Sequence, residues 1–271
     1  MNKFIALAST ISMIFGIGVK GCSSEESSNA SSTLSTTSSY SYTASSSSKK
    51  SSSSSSSSNN HNYTRVTDGK LTYIYYDGST CGVKAASKNI SGDIVIPSTY
   101  GNRTVTAIEY DIYSELNDTK AFVECEYIET LYVPSTIRAI DTGGFLSCSS
   151  LYSFAVSDEN EYYKAKNDVL YTKAELTLVA YPASKSGSSY TISSSTKTLA
   201  FDCFANSQYL TSLTIPTSVT SIEAYAFILS SIRNVTYLGT KSQWNNIHLD
   251  SNWHASAKFT SITCSDGIVY L

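Results

Sequence analysis

Apolar and polar residues follow two nested periods along this chain. The shorter is a plain alternation. In "TLYVP" (130–134) and "SLTIP" (212–216) every second residue is aliphatic, so Leu131 and Val133, or Leu213 and Ile215, face one side of a short strand. A proline ends each run, because it has no N–H for a continuing ladder. The longer period joins whole segments. "IETLYVPSTIRAIDTGGF" (128–145) and "LTSLTIPTSVTSIEAYAF" (210–227) set aliphatic residues, proline, isoleucine and phenylalanine at matching offsets. Phe122, Phe145, Phe204 and Phe227 are spaced by 23, 59 and 23 residues, the middle step being one period plus 36. Each follows a small residue: Ala121, Gly144, Cys203 or Ala226. Ile140, Leu199 and Ile222 stand five before the last three, and Ile137, Thr196 and Val219 three before those. A period held at this many positions predicts a repeat solenoid, mainly β. Short strands stack in parallel on one face. The "VTSIEAYAF" half returns on the other as a tight turn or short helix, with its phenylalanine in the core. No single coil can bury its own apolar face, so the pattern has to recur.

These segments, together with "AFVEC", resemble the BspA-type leucine-rich repeat family. "SGDIVIPSTYGNRTVTAI" is similar to that family's opening coil with "YGNRT" inserted. "VSDENEYYKAKNDVLYTKAELTLVAYP" resembles its longer coil, and "YLGTKSQWNNIHL" through "ITCSDGIVYL" its closing segment. The likeness runs from about Leu71 to Leu271. It implies a solenoid of leucine-rich-repeat type and a non-enzymatic surface protein, of bacteria or of parasitic protists, concerned with adhesion and protein binding. The resulting division is 63–108 for the opening coil, 109–237 for the repeats with a longer coil at about 156–190, and 238–271 for a C-terminal cap. Within the repeats, "YDIYSELNDTKAF" widens the usual spacing between Ile108 and Phe122. It is expected to be a tolerated insertion, and offers an acidic, tyrosine-bearing loop as a candidate contact.

The N-terminal part has a different composition. Residues 1–21 read as a secretory leader: Lys3 supplies the positive end, and "FIALASTISMIFGIGV" is the apolar run. "VKGC" places Val19 at −3, Gly21 at −1 and Cys22 at +1, which resembles a bacterial lipobox; Lys20 departs from the small or apolar residue usual at −2. The resemblance implies diacylglycerol on the Cys22 thiol, and hence a membrane partner reached through lipid. Residues 22–62 form a Ser-rich tract with almost nothing apolar to bury, so a disordered tether is expected. Some forty residues of such coil average ~35 Å end to end and can stretch to ~130 Å, a reach suited to a cell wall.

Composition removes several function classes. Charged residues are 15% of the chain and the formal charge is −3, so no basic field invites nucleic acid. Of the six cysteines, Cys125 and Cys148 sit three residues after a repeat phenylalanine, where later coils carry Ser207 and Ser230, and Cys203 takes the small-residue slot. These read as buried ladder thiols rather than bridges. Cys81 and Cys264 belong to opposite ends of the solenoid, too far apart to pair. His248, Asp250 and His254 match no metal-ligand spacing, and the neighbouring Trp244 and Trp253 point to a capping core. "SDENEYY" lacks the glycine and ligand order of a calcium loop and reads as a solvated turn. No nucleophile elbow or phosphate loop is present. No catalytic residue, cofactor, metal or small-molecule substrate is implied.

What remains is the outer side of the strands. Alternation points Thr130 and Tyr132, Ser153 and Ala155, Ser212 and Thr214, and Asn234 and Thr236 outward as a candidate binding face, small and polar, with Tyr132 its one aromatic anchor. The expected function is a lipid-anchored cell-surface protein, non-enzymatic, that binds surface or matrix proteins of a host or neighbouring cell. The alternative is a structural envelope lipoprotein with no specific ligand. Without lipid on Cys22 the protein would be secreted.

Overall fold

The structure, a computed structural model, describes residues 64–76, 78–109 and 121–271. The leader, Cys22, the Ser-rich tract and the insertion at 110–120 therefore lie outside the described residues. The fold is a β-solenoid whose coils each contribute to two ladders.

The first ladder is the expected one. Strands Ser91–Val95, Tyr127–Val133 and Ser153–Val156 pair in parallel. After a break, Ser189–Thr191, Ser212–Ile215, Asn234–Tyr237 and Ser261–Cys264 pair in parallel, and Gly267–Tyr270 closes the row antiparallel. Alternation then does what the sequence requires: Leu213, Ile215, Val235, Tyr237 and Ile262 are buried while their neighbours face out.

The return half of each coil carries a second ladder before its tight turn. Two-residue strands Thr198–Leu199, Ser221–Ile222 and His248–Leu249 run parallel beside Thr177–Ala180, and Ala139–Ile140 pairs with Arg103–Ile108. Two residues give no alternation to read, so the sequence pattern shows only the turn. Among the described residues the sole α-helix is Lys241–Trp244, entered through a capping box between Thr240 and Gln243. The stretch expected to be a cap (238–271) thus extends both ladders by one coil before closing them.

The aromatic slot runs through the centre. Phe122 stacks on Phe145 at 6.2 Å, and Phe204 on Phe227 at 5.6 Å. The N–H groups of three slot residues donate to the carbonyl of the small residue one coil on: Phe122 to Gly144 (2.8 Å), Tyr181 to Cys203 (2.7 Å), Phe204 to Ala226 (2.8 Å). Close approach explains the small residues, since a Cβ on Gly144 would lie 2.8 Å from that of Ala121 and 2.9 Å from the Asp141 carbonyl oxygen. Tyr181 fills the slot that no phenylalanine occupies, 5.4 Å from Phe204.

The long coil interrupts this regularity. Tyr163–Lys166, Val169–Thr172 and Thr177–Ala180 form an antiparallel meander. Asn167 and Asp168, at φ 51° and 67°, make the primed two-residue turn that suits a twisted hairpin. Its middle strand is buried on both sides. Val169 and Tyr171 belong to a C-terminal core reaching Phe259 and Cys264, whereas Leu170 belongs to an N-terminal core reaching back to Leu71. Leu178 and Val179 divide in the same way. The meander is a wall with a core on each side, and such strands read as unbroken apolar runs.

"YGNRT" is also a hairpin: Gly101 and Asn102 turn the chain between Thr99–Tyr100 and Arg103–Ile108. Ahead of it, Thr64–Thr67, Leu71–Tyr75 and Thr80–Ala85 form an antiparallel meander that covers the N-terminal end of the second ladder.

Candidate functional site: the strand face and the break in its ladder

The two stretches of the first ladder present different outer surfaces. On the N-terminal stretch Val95, Tyr132 and Ala155 are cross-strand neighbours. Val95 is 65% exposed and Tyr132 40%. This is an apolar row around the aromatic residue expected to anchor the face. On the C-terminal stretch Thr191, Thr214, Thr236 and Thr263 align across four strands, beside Ser189, Ser212 and Asn234. Asn234 and Thr236 are exposed, Ser212 and Thr214 half-buried, and the Asn234 amide lies 3.5 Å from the Ser212 hydroxyl.

Thr130 requires a correction. It is only 5% exposed, so its side chain is not available on the outer face. The pairing shifts between Gly92↔Ile128 and Ile94↔Leu131, which leaves Glu129 and Thr130 together opposite Asp93. Such a bulge spoils the strict alternation on which the expectation rested. Ser153 is half-buried and donates its hydroxyl to Asp168 Oδ1 at 3.2 Å.

Between Ser153–Val156 and Ser189–Thr191 the ladder stops, because the long coil stands there. The hairpin tip covers part of the gap: the Phe154 N–H donates to the Asp168 carbonyl at 3.0 Å. Beside it lies an open cleft of about 380 Å³ lined by Tyr152, Asp168, Ser184, Lys185, Ser186 and Tyr209. Lys185 Nζ meets Asp168 Oδ2 at 2.6 Å. Tyr152 and Tyr209 are 47% and 54% exposed. These residues come from four separated segments at the N-terminal ends of the strands, and nothing in linear sequence joins them.

Two polar centres, one buried and one half-buried, hold the long coil. Asn160 is fully buried, and its amide donates to the carbonyls of Pro134 (2.8 Å) and Ile137 (3.0 Å). Its Oδ1 accepts the N–H groups of Tyr162 and Tyr163, each at 2.8 Å. "SDENEYY" is thus a polar staple to the preceding coil as well as a turn. Glu175 takes Lys164 at 2.9 Å, Lys166 at 2.6 Å and the Ser193 hydroxyl. Burial opposes its charge, but these donors outweigh it and pull its pKa down to about 2. Thr196, in a slot that is aliphatic in other coils, is buried because its hydroxyl donates to the Glu175 carbonyl at 3.0 Å.

Among the described residues the thiols have no reactive setting. Cys81, Cys125, Cys148, Cys203 and Cys264 are all buried and unbridged. Burial lifts Cys125 to about 12, with nearby Lys88 opposing, and lifts Cys148 and Cys203 well above the ordinary thiol value. They stay protonated at neutral pH, and Cys148 donates to the Phe122 carbonyl at 3.0 Å. His248 pairs with Asp250 at 2.9 Å on the surface, whereas His254 packs on Trp253 at 4.6 Å. Among the described residues no group of three or more His, Cys, Asp or Glu side chains is placed to hold a metal. Among them, too, no helix is long and apolar enough to cross a membrane.

Residues 100–184 and 179–270 match the profile of the BspA type leucine rich repeat region, in six copies. No curated protein matches the chain. Among solved structures, it is similar to a leucine-rich repeat protein from Eubacterium ventriosum at 17% identity, covering 73% of this chain and 70% of that one, with TM-score 0.47. A Treponema pallidum leucine rich repeat protein gives 18%, 70%, 82% and 0.38. A leucine rich cell surface protein from Faecalibacterium prausnitzii gives 14%, 68%, 97% and 0.32.

Proposed function

The chain belongs to the BspA-type leucine-rich repeat family, and on that premise we propose that it is a non-enzymatic binding protein displayed at the cell surface. Lipid on Cys22 anchors it to the membrane, the Ser-rich tract lifts the solenoid away, and the strand face contacts proteins of a host or neighbouring cell. The observation that carries the contact is the row Val95–Tyr132–Ala155, exposed at Val95 and Tyr132, since an aromatic residue with apolar neighbours is the usual nucleus of a protein interface. The polar residues Ser212, Thr214, Asn234 and Thr236 would extend the contact on the other side of the break.

Two measurements separate the parts of this reading. Capture of extracellular-matrix or host-surface proteins by the purified chain should be saturable and should fall on Tyr132→Ala. Absence of saturable capture defeats the binding claim. Cys22→Ser should abolish fatty-acid labelling and release the protein or leave it unprocessed, with the solenoid still folded. A mature N-terminus beginning elsewhere than Cys22, without lipid, would make the protein simply secreted.

A second reading, an envelope lipoprotein with no specific ligand, is favoured by the uniform Thr191–Thr214–Thr236–Thr263 row, which offers no aromatic or charged anchor. Protease or antibody added to intact cells should reach the solenoid if it is a surface binder, and fail to reach it if it is envelope scaffold.

A further inference from the structure

We propose that the cleft at the break in the strand ladder is a binding site for a neutral sugar unit, a hexopyranose at the end of, or within, a glycan chain. The proposal goes beyond the protein-binding strand face, since it concerns another surface and another ligand class, and it holds whether or not that face takes a protein.

Four observations converge. The cleft, about 380 Å³, is at the small end of the range for ligand pockets and cannot enclose a protein segment of any length. Tyr152 and Tyr209, each about half exposed, line it. A tyrosine ring is a rigid apolar platform with a polar tip, and matches the C–H face of a pyranose ring with hydroxyls at its edge. The floor carries both signs of charge already matched: Lys185 Nζ on Asp168 Oδ2, with the Ser153 hydroxyl on Asp168 Oδ1. An anionic ligand would have to compete with Asp168 for Lys185. A pair of neighbouring hydroxyls can instead donate to the carboxylate and accept from the ammonium without breaking the pair. The Ser184 and Ser186 side chains add two further hydroxyls to the lining.

The walls are also pre-formed. The Ser184 N–H donates to the Leu151 carbonyl at 2.8 Å, and the Gln208 N–H to the Ala183 carbonyl at 2.9 Å. The Gln208 side-chain amide crosses to the Ser149 carbonyl at 2.8 Å. These bonds tie the segments carrying Tyr152, Lys185 and Tyr209 together across the break, so little ordering cost falls on binding.

The test is calorimetric titration of the full chain with neutral oligosaccharides built from glucose, mannose, galactose and N-acetylglucosamine, alongside sialylated and sulfated ones. At least one neutral oligosaccharide should saturate a single site. Tyr152→Ala and Tyr209→Ala should each weaken it about tenfold, the size expected for loss of one ring contact. Asp168→Asn, which keeps a side chain suited to the turn, should weaken it too. Tyr209→Phe should retain most of the affinity, and Tyr270→Ala, an exposed tyrosine outside the cleft lining, all of it. Unchanged melting temperatures keep these effects apart from misfolding. Binding by none of the neutral sugars, binding only of anionic ones, or binding indifferent to both tyrosine truncations would overturn the proposal.

Discussion

The coils between Ser189 and Cys264 and the long coil between Ser157 and Ala183 solve one problem in two ways. The regular coils bury their apolar residues by repetition. Leu213 and Val235 hold one strand position, Leu199 and Ile222 another, Phe204 and Phe227 the slot, and the outward strand residues Ser212, Thr214, Asn234 and Thr236 are small and polar. The long coil has no identical neighbour to stack on. It buries a meander between two cores and fastens it with polar groups, Asn160 on one side and Glu175 on the other. Repetition yields a scaffold whose exposed positions are interchangeable. Departure from it yields buried polar chemistry and, at the edge of the gap, a cleft with specific walls.

The largest contrast concerns the aromatic slot. Phe204 is fully buried between Tyr181 and Phe227, so Phe204→Ala should cost about 3–5 kcal/mol in urea unfolding. Phe145 stands next to the long coil and is only partly buried, so Phe145→Ala should cost clearly less. Equal costs would mean that the slot is uniform and the long coil no interruption.

The smaller contrast is electrostatic. The Glu175 pKa is depressed from its ordinary 4.5 to about 2, so its ion pairs contribute stability that is complete above about pH 4.5 and lost as pH falls from there toward 2. Glu175→Gln should lower stability at neutral pH and flatten this acid limb. An unchanged limb would assign acid sensitivity to other carboxylates.

Much of the regular solenoid could be read from sequence, because one slot tolerates few residue types and recurs at 23. Tyr181 also stands 23 before Phe204 with small Ala180 ahead of it, a signal hidden only when the slot is defined as phenylalanine. The second ladder could not be read, since strands such as Ser221–Ile222 are too short to show a period. The bulge at Glu129 and Thr130 is equally silent, as it depends on these two residues facing the single Asp93 of the neighbouring strand. Spacing alone reads Cys125 and Cys148 as buried thiols, and both are buried, as are Ser207 and Ser230 at the matching positions. The cleft had no linear trace: Tyr152, Asp168, Lys185 and Tyr209 meet only because the long coil opens the ladder.

The central claim is that the long coil joins both cores into one cooperative unit, and the molecule carries its own probes for it. Both tryptophans, Trp244 and Trp253, are in the C-terminal core, while Cys81, Cys125 and Cys148 are buried in the N-terminal one. Urea unfolding followed by tryptophan fluorescence and by residue-resolved thiol labelling should give coincident transitions in the wild-type chain. Asn160→Ala leaves the Pro134 and Ile137 carbonyls and two N–H groups without their partner, at about 2–4 kcal/mol. In that variant the N-terminal thiols should become reactive at lower urea than the fluorescence change. Separate transitions already in the wild-type chain, or transitions that stay together in Asn160→Ala, would contradict the account.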